Sequence, residues 1–100
     1  MKVEITQAEK VVTVTIEGRL DTVTSPELEK ELAPYFAEQG VELIMDCTAM
    51  EYISSAGLRV VLTTHKTITA KGGSFTIRNI NKEVRSVFDM TGFSRILKIE

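Results

Sequence analysis

Two alternating stretches open the chain. Val3 and Ile5 alternate with Lys2, Glu4 and Thr6, and after the polar break Ala8-Glu9-Lys10, Val12, Val14 and Ile16 alternate with Thr13, Thr15 and Glu17. A period of two with one apolar side belongs to a strand that buries one face. The short break between the stretches predicts an antiparallel hairpin. Gly18 is expected to close the second strand, leaving Gly18-Arg19-Leu20-Asp21-Thr22 as a loop.

The period then changes. In Thr24-Ser25-Pro26-Glu27-Leu28, Ser25 suits a helix cap, Pro26 the first helical position, and Glu27 and Glu29 the positive end of the helix dipole. Leu28, Leu32 and Tyr35 or Phe36 supply its apolar face. Pro34 lacks the N–H that a helix interior needs, which predicts a bend or an early end, with Gly40 closing the segment. Val41 to Asp46 is rich in large apolar side chains and reads as a buried strand. Beyond it, Leu58, Val61, Leu62, His65 and Thr69 recur at helical spacing, with Leu58, Val61 and Leu62 as the apolar stripe. A long helix is therefore predicted over about Ala56 to Ala70, ended by Lys71-Gly72-Gly73 through a glycine at positive φ.

Ser74 to Arg78 is the next strand, with Phe75 and Ile77 on one face. Asn81 caps a short helix holding Val84, Val87 and Phe88, which Gly92 terminates, and Arg95 to Ile99 forms a last strand. The order ββαβαβαβ predicts an α/β fold, a mixed sheet whose later strands are parallel and joined by helices. No repeat, linker or low-complexity tract interrupts it, so residues 1–100 are expected to form one domain. That length builds a core without disulfide or metal.

Composition removes several classes of function. A formal net charge of −2 and scattered basic residues (Lys66, Lys71, Arg78, Lys82, Arg85) carry no footprint of nucleic-acid binding. No segment approaches the ~20 apolar residues of a membrane helix, and the N-terminus has no apolar run resembling a signal peptide. The expectation is a soluble, cytoplasmic protein with no membrane partner. The single cysteine, Cys47, follows a buried-strand pattern and reads as a core residue.

The single histidine, His65, lies on an apolar-periodic face, where a boundary residue is the expected reading. Without a second His or Cys neighbour, no zinc site is expected. Neither nucleotide-binding glycine motif is present, nor Gly-x-Ser-x-Gly, so neither a cofactor nor a self-contained enzyme activity is expected. Met45, Met50 and Met90 read as gap fillers in the core or at a contact surface. The acids Asp21, Asp46, Glu51 and Asp89 read as solvated.

What remains is Tyr52-Ile53-Ser54-Ser55-Ala56-Gly57-Leu58, hydroxyls and a glycine between a strand and a helix. Serine there is an N-cap on position alone. Unpaired backbone N–H groups and the helix dipole also favour negative charge at such a place. Gly57 serves close packing at the first turn, approach of a partner to the backbone, or both.

Gly18-Arg19-Leu20-Asp21, the Ser-Pro helix start, Met45-Asp46-Cys47-Thr48, the serine turn and Val87-Phe88-Asp89-Met90-Thr91-Gly92-Phe93 stand in the order seen in STAS domains. The chain resembles, among these, the stand-alone bacterial anti-sigma factor antagonists. The resemblance implies a single-domain STAS-like fold, with a mixed central sheet and helices packed on one side. It implies partner switching: the unphosphorylated antagonist binds an anti-sigma factor that is also a serine kinase, phosphorylation of a serine releases it, and a serine phosphatase resets it.

In the family's commonest motif, Asp-Ser-[Ser/Thr]-Gly-Leu, the phosphoacceptor lies two residues before the glycine. Counting back from Gly57 implies Ser55, with Ser54 as the second choice. Ser54 itself stands where the family carries an acid, and Ala56 where it carries a second hydroxyl. The partner surface implied comprises Asp21, Thr22 and Thr24 from the first loop, and Tyr52, Ser54, Ser55, Ala56, Gly57 and Arg59 from the turn and helix. The alternative is a STAS domain that serves, without phosphorylation, as a scaffold subunit of a sensory complex or lipid-transport machinery. A small hydrolase using Ser55 rests on an exposed serine alone.

Overall fold

A computed structural model describes residues Met1–Glu100. Strands β1 (Lys2–Ala8) and β2 (Val11–Leu20) pair antiparallel, as the alternation predicts. Strands β3 (Glu42–Ile53), β4 (Ser74–Arg78) and β5 (Lys98–Ile99) then add in parallel, giving a five-stranded sheet in the order β1-β2-β3-β4-β5. Each parallel step passes through a helix: α1 (Ser25–Phe36), α2 (Ser55–Ala70) and α3 (Lys82–Met90). Right-handed crossovers taken successively in one direction stack their helices on one face of the sheet. Burial agrees with that arrangement. Val12, Val14, Ile16, Leu43, Met45, Cys47 and Ile77 are fully enclosed, while Thr13, Thr15, Ile44 and Asp46 on the other face are half-buried. No helix is long and apolar enough to cross a membrane.

The element order is the one predicted; several boundaries are not. Gly18 does not close β2, which runs on through Arg19 and Leu20. Gly18 has φ +94° and sits at a register shift, pairing with Met50 while Arg19 pairs with Tyr52. It kinks the strand at a bulge rather than ending it, and the fully buried Leu20 anchors the extension. The expected loop shrinks to residues 21–24. Strand β3 likewise extends past Asp46 to Ile53, because Cys47, Met50 and Ile53 keep facing the core across two bulges.

In α1 the capping position is Thr24, not Ser25, and Thr24 makes no side-chain cap bond. Ser25 is already helical and donates its hydroxyl and its N–H to the Asp21 carbonyl. Pro34 does not stop the helix, which continues to Phe36. The carbonyl that Pro34 leaves unbonded belongs to Lys30, an exposed position open to solvent.

On α2 the stripe shifts. Leu58 and Val61 are buried as expected, but Leu62 is half-buried and Thr69 exposed, and Val60, Thr64 and Ile68 complete the inner face. Thr64 is tolerated there because its hydroxyl donates to the Val60 carbonyl at 2.8 Å. Helix α3 starts at its predicted cap, with Asn81 Oδ1 accepting the Val84 N–H at 2.8 Å. The last strand is shorter than predicted. Gly92, at φ +80°, turns the chain into a 3-10 turn over Phe93–Arg95, leaving only Lys98–Ile99 to pair with β4.

Candidate functional site

Strands β2 and β3 are parallel and finish side by side, Arg19 opposite Tyr52 and Leu20 opposite Ile53. The chain therefore leaves both at the same rim of the sheet, into α1 through residues 21–24 and into α2 through Ser54. The Ser54 N–H donates to the Leu20 carbonyl at 2.9 Å, which ties one exit to the other. The first loop and the serine turn, far apart in sequence, form one surface.

The two serines do different things. Ser54 is extended (φ −95°, ψ 176°) and its Oγ accepts the Gly57 N–H at 3.2 Å, which makes it the N-cap of α2. Ser55 is the first helical residue, exposed, and its hydroxyl has no partner within the chain. Gly57 is buried, and a Cβ there would stand 2.8 Å from the Leu20 carbonyl oxygen and 2.9 Å from Leu20 Cγ and Ile53 Cγ1. Absence of a side chain is what lets the first turn of α2 rest on the end of β2. Of the readings open for Gly57, the packing role is the one with visible contacts.

Asp21 organises the other exit. Its Oδ1 accepts the N–H groups of Val23 and Thr24, both at 3.0 Å, a side-chain turn closing the loop onto α1. Thr24 accepts the Asp21 N–H at 2.9 Å and donates its hydroxyl to the Arg19 carbonyl at 2.8 Å. The Thr24 N–H, helped by the Val23 N–H and the Arg19 charge, holds the Asp21 carboxyl below its ordinary value against some desolvation. Thr22 is exposed, and Ala56 is half-buried beside the serines.

Arg19 was not among the candidate site residues, yet it joins the two exits. Its Nε lies 3.8 Å from Asp21 Oδ2 and its guanidinium carbon 4.1 Å from the centre of the Tyr52 ring. Parallel pairing of β2 with β3 makes that contact, and spacing along the chain carries no trace of it. Arg59, one helical turn beyond Ser55, is exposed and makes neither an ion pair nor a side-chain hydrogen bond. Ser55 and Arg59 line a surface cavity of about 300 Å³ with Leu58, Leu62, Thr91 and Phe93. Thr91 and Phe93, from the end of α3 and the 3-10 turn, also lay outside the candidate set.

The remaining reactive groups are taken up elsewhere. Cys47 is buried, and desolvation pushes its thiol up to about 12. Asp46 accepts from the Thr48 hydroxyl at 2.6 Å, the Thr48 N–H at 3.0 Å and Asn79 at 3.2 Å, so it is a bonded carboxylate rather than a merely solvated one. Two wider depressions of about 450 Å³ flank Glu51, one toward Asn81 and Lys82, the other toward Lys2 and Glu17. Neither reaches Ser55.

The STAS domain model matches residues 2–100. The chain is 33% identical over 99 residues to the anti-sigma-B factor antagonist of Bacillus subtilis, covering 99% of this chain and 90% of that protein. The crystal structure of an anti-sigma factor antagonist from Mycobacterium paratuberculosis superposes with a TM-score of 0.87 at 23% identity, over 98% of this chain and 83% of that one. The phosphorylated form of the Bacillus cell fate determinant SpoIIAA superposes with a TM-score of 0.78 at 17% identity, over 99% and 91% of the two chains. At these identities the two superpositions speak for the fold.

Proposed function

The chain belongs to the STAS domain family, and from that premise we propose that it is an anti-sigma factor antagonist switched by phosphorylation of Ser55. Unphosphorylated, it binds an anti-sigma factor and so frees a sigma factor for transcription. That partner is also the serine kinase, and a separate serine phosphatase resets the switch. The bacterial cytoplasm, where transcription takes place, is the compartment this reading assigns.

The observation that carries the proposal is the division of labour at the start of α2. Ser54 is spent on the cap, whereas the Ser55 hydroxyl is exposed and uncommitted on the same rim as Asp21, Thr24 and Tyr52. In the kinase step the Ser55 Oγ bonds to the γ-phosphorus of ATP, the bond to the β-phosphate oxygen breaks, ADP leaves and the hydroxyl proton passes to a base on the kinase. In the reset, water cleaves the phosphomonoester to serine and inorganic phosphate.

The added group brings about −1.5 to −2 charges to a surface that already holds Asp21. At an exposed helix N-terminus such charge is mildly favourable to the fold, by about 0.3–1 kcal/mol. The switch therefore acts on the partner interface, through repulsion and desolvation, and leaves the domain folded. A phosphorylated relative with the same fold fits that expectation.

The test is incubation with the kinase-competent partner and ATP, followed by phosphosite mapping. Phosphate is expected on Ser55; phosphate on Ser54, or on neither, rejects the assignment. Ser55→Ala should bind the partner constitutively, and Ser55→Asp weakly at a nearly unchanged melting temperature. Equal binding by both variants would point to the phosphorylation-free scaffold role instead.

A further inference from the structure

Arg59 lies four residues after Ser55 on α2, the spacing that brings side chains together on one helix face with Cβ atoms about 5–6 Å apart. The order is the favourable one, with the group that becomes anionic nearer the helix N-terminus and the cation one turn on. Arg59 is also uncommitted. Arg19 is held by Asp21 and Tyr52 and Arg78 by Glu100, but Arg59 has no carboxylate partner. Both residues line the cavity of about 300 Å³ against α3 and the 3-10 turn. Within that lining Arg59 is the single charged residue; Leu58 and Leu62 come from α2, and Thr91 and Phe93 from the facing elements. A charged pair against such walls is screened less than one in open water.

We propose that Arg59 is the intramolecular receptor for the phosphate on Ser55, drawing it down over the cavity between α2 and the Thr91–Phe93 segment. The inference rests on the reading of Ser55 as phosphoacceptor and adds a regulatory step to it. A guanidinium fork matches two phosphate oxygens at once, which an ammonium does not. Phosphorylation then does more than add charge. It withdraws a free arginine from the surface and covers a cavity with apolar walls, so a partner that used either loses it. An aspartate at position 55 has one charge and a shorter reach and cannot close the same pair, so it imitates the phosphorylated state only in part.

The experiment uses the full chain with phosphoserine encoded at position 55, so that its outcome does not depend on any kinase. The single phosphate is titrated by ³¹P NMR in the otherwise native chain and in Arg59→Gln, at one ionic strength. The second phosphate ionisation, near pH 6 in an unperturbed phosphoserine, is expected lower in the native chain than in Arg59→Gln by roughly half a unit or more. The Arg59 Nε–H resonance should move on phosphorylation. In Arg59→Lys the midpoint should fall between the other two. Equal midpoints in the native chain and Arg59→Gln, or an Arg59 resonance that ignores the phosphate, overturn the proposal. Kinase labelling that fails while this titration succeeds would reject the phosphoacceptor reading and leave the pair itself standing.

Discussion

The Arg19 guanidinium stacks on the Tyr52 ring at 4.1 Å, across the pairing of β2 with β3. It is the side-chain counterpart of the backbone bond from Ser54 to Leu20 one step further along. Both contacts hold the loop that follows β2 against the serine turn. Tyr52 is 39% exposed, so the stack is worth what such pairs contribute at open sites. A double-mutant cycle with Arg19→Ala and Tyr52→Ala should return a coupling of about 0.5–1 kcal/mol in urea denaturation. Strict additivity would mean that the stack does not hold the rim together.

The adjacent serines should separate in stability as they do in structure. Ser54→Ala removes the acceptor for the Gly57 N–H and should cost about 0.5–2 kcal/mol. Ser55→Ala removes a hydroxyl without a partner and should stay within about 0.5 kcal/mol of the native chain. Thermal melts of the two variants check this. The reverse order would put the cap on the wrong serine.

Gly57→Ala sets two effects against each other. Alanine is a better helix former by about 1 kcal/mol, but its Cβ would stand 2.8 Å from the Leu20 carbonyl, a backbone atom that cannot swing aside. Overpacking of that kind costs about 1–3 kcal/mol, so the variant should be the less stable. Chemical denaturation decides the sign. A gain in stability would show that α2 can lift from the end of β2 freely.

Asp21 and Asp46 both titrate below the ordinary 3.8 when folded, Asp21 chiefly through the Thr24 N–H and Asp46 chiefly through the Thr48 hydroxyl. A lowered folded value means that the unfolded chain takes up protons first as the pH falls. Their contribution is therefore complete above about pH 4 and disappears on the way down through the folded values. Urea midpoints measured from about pH 6 to 2 should fall less steeply for Asp46→Asn and Asp21→Asn than for the native chain. Parallel curves would mean that neither carboxylate is linked to folding.

Periodicity was enough for the order of the elements, because Val12-Val14-Ile16 and Leu58-Val61 face a core whichever way the chain is continued. It failed where geometry is set by a neighbour. Gly18 looks like a terminator until β3 bulges opposite it, and Ser25 looks like a cap until the Asp21 carbonyl claims its hydroxyl. Residues 95–97 have strand composition, but the positive φ of Gly92 winds the chain into a turn first. The site divides in the same way. The serine turn stands out along the chain itself, and Asp21 and Thr24 entered through the resemblance to the STAS family. The roles of Arg19, Thr91 and Phe93 depend on which strand lies beside which helix, and no spacing encodes that.

Strand order in this sheet is chain order, and that has a kinetic meaning. Every strand pairs with the one synthesised just before it, so the sheet can lengthen by one neighbour at a time without reserving a gap for a later strand. The rim that carries Ser55 is made by the ends of β2 and β3 and the starts of α1 and α2, all lying between Arg19 and Arg59. Its backbone can be laid down while the last helix and strand are still missing. The lining from Thr91 and Phe93 comes later, so the wall facing Arg59 is the part of this surface whose formation waits for the end of α3 and the 3-10 turn.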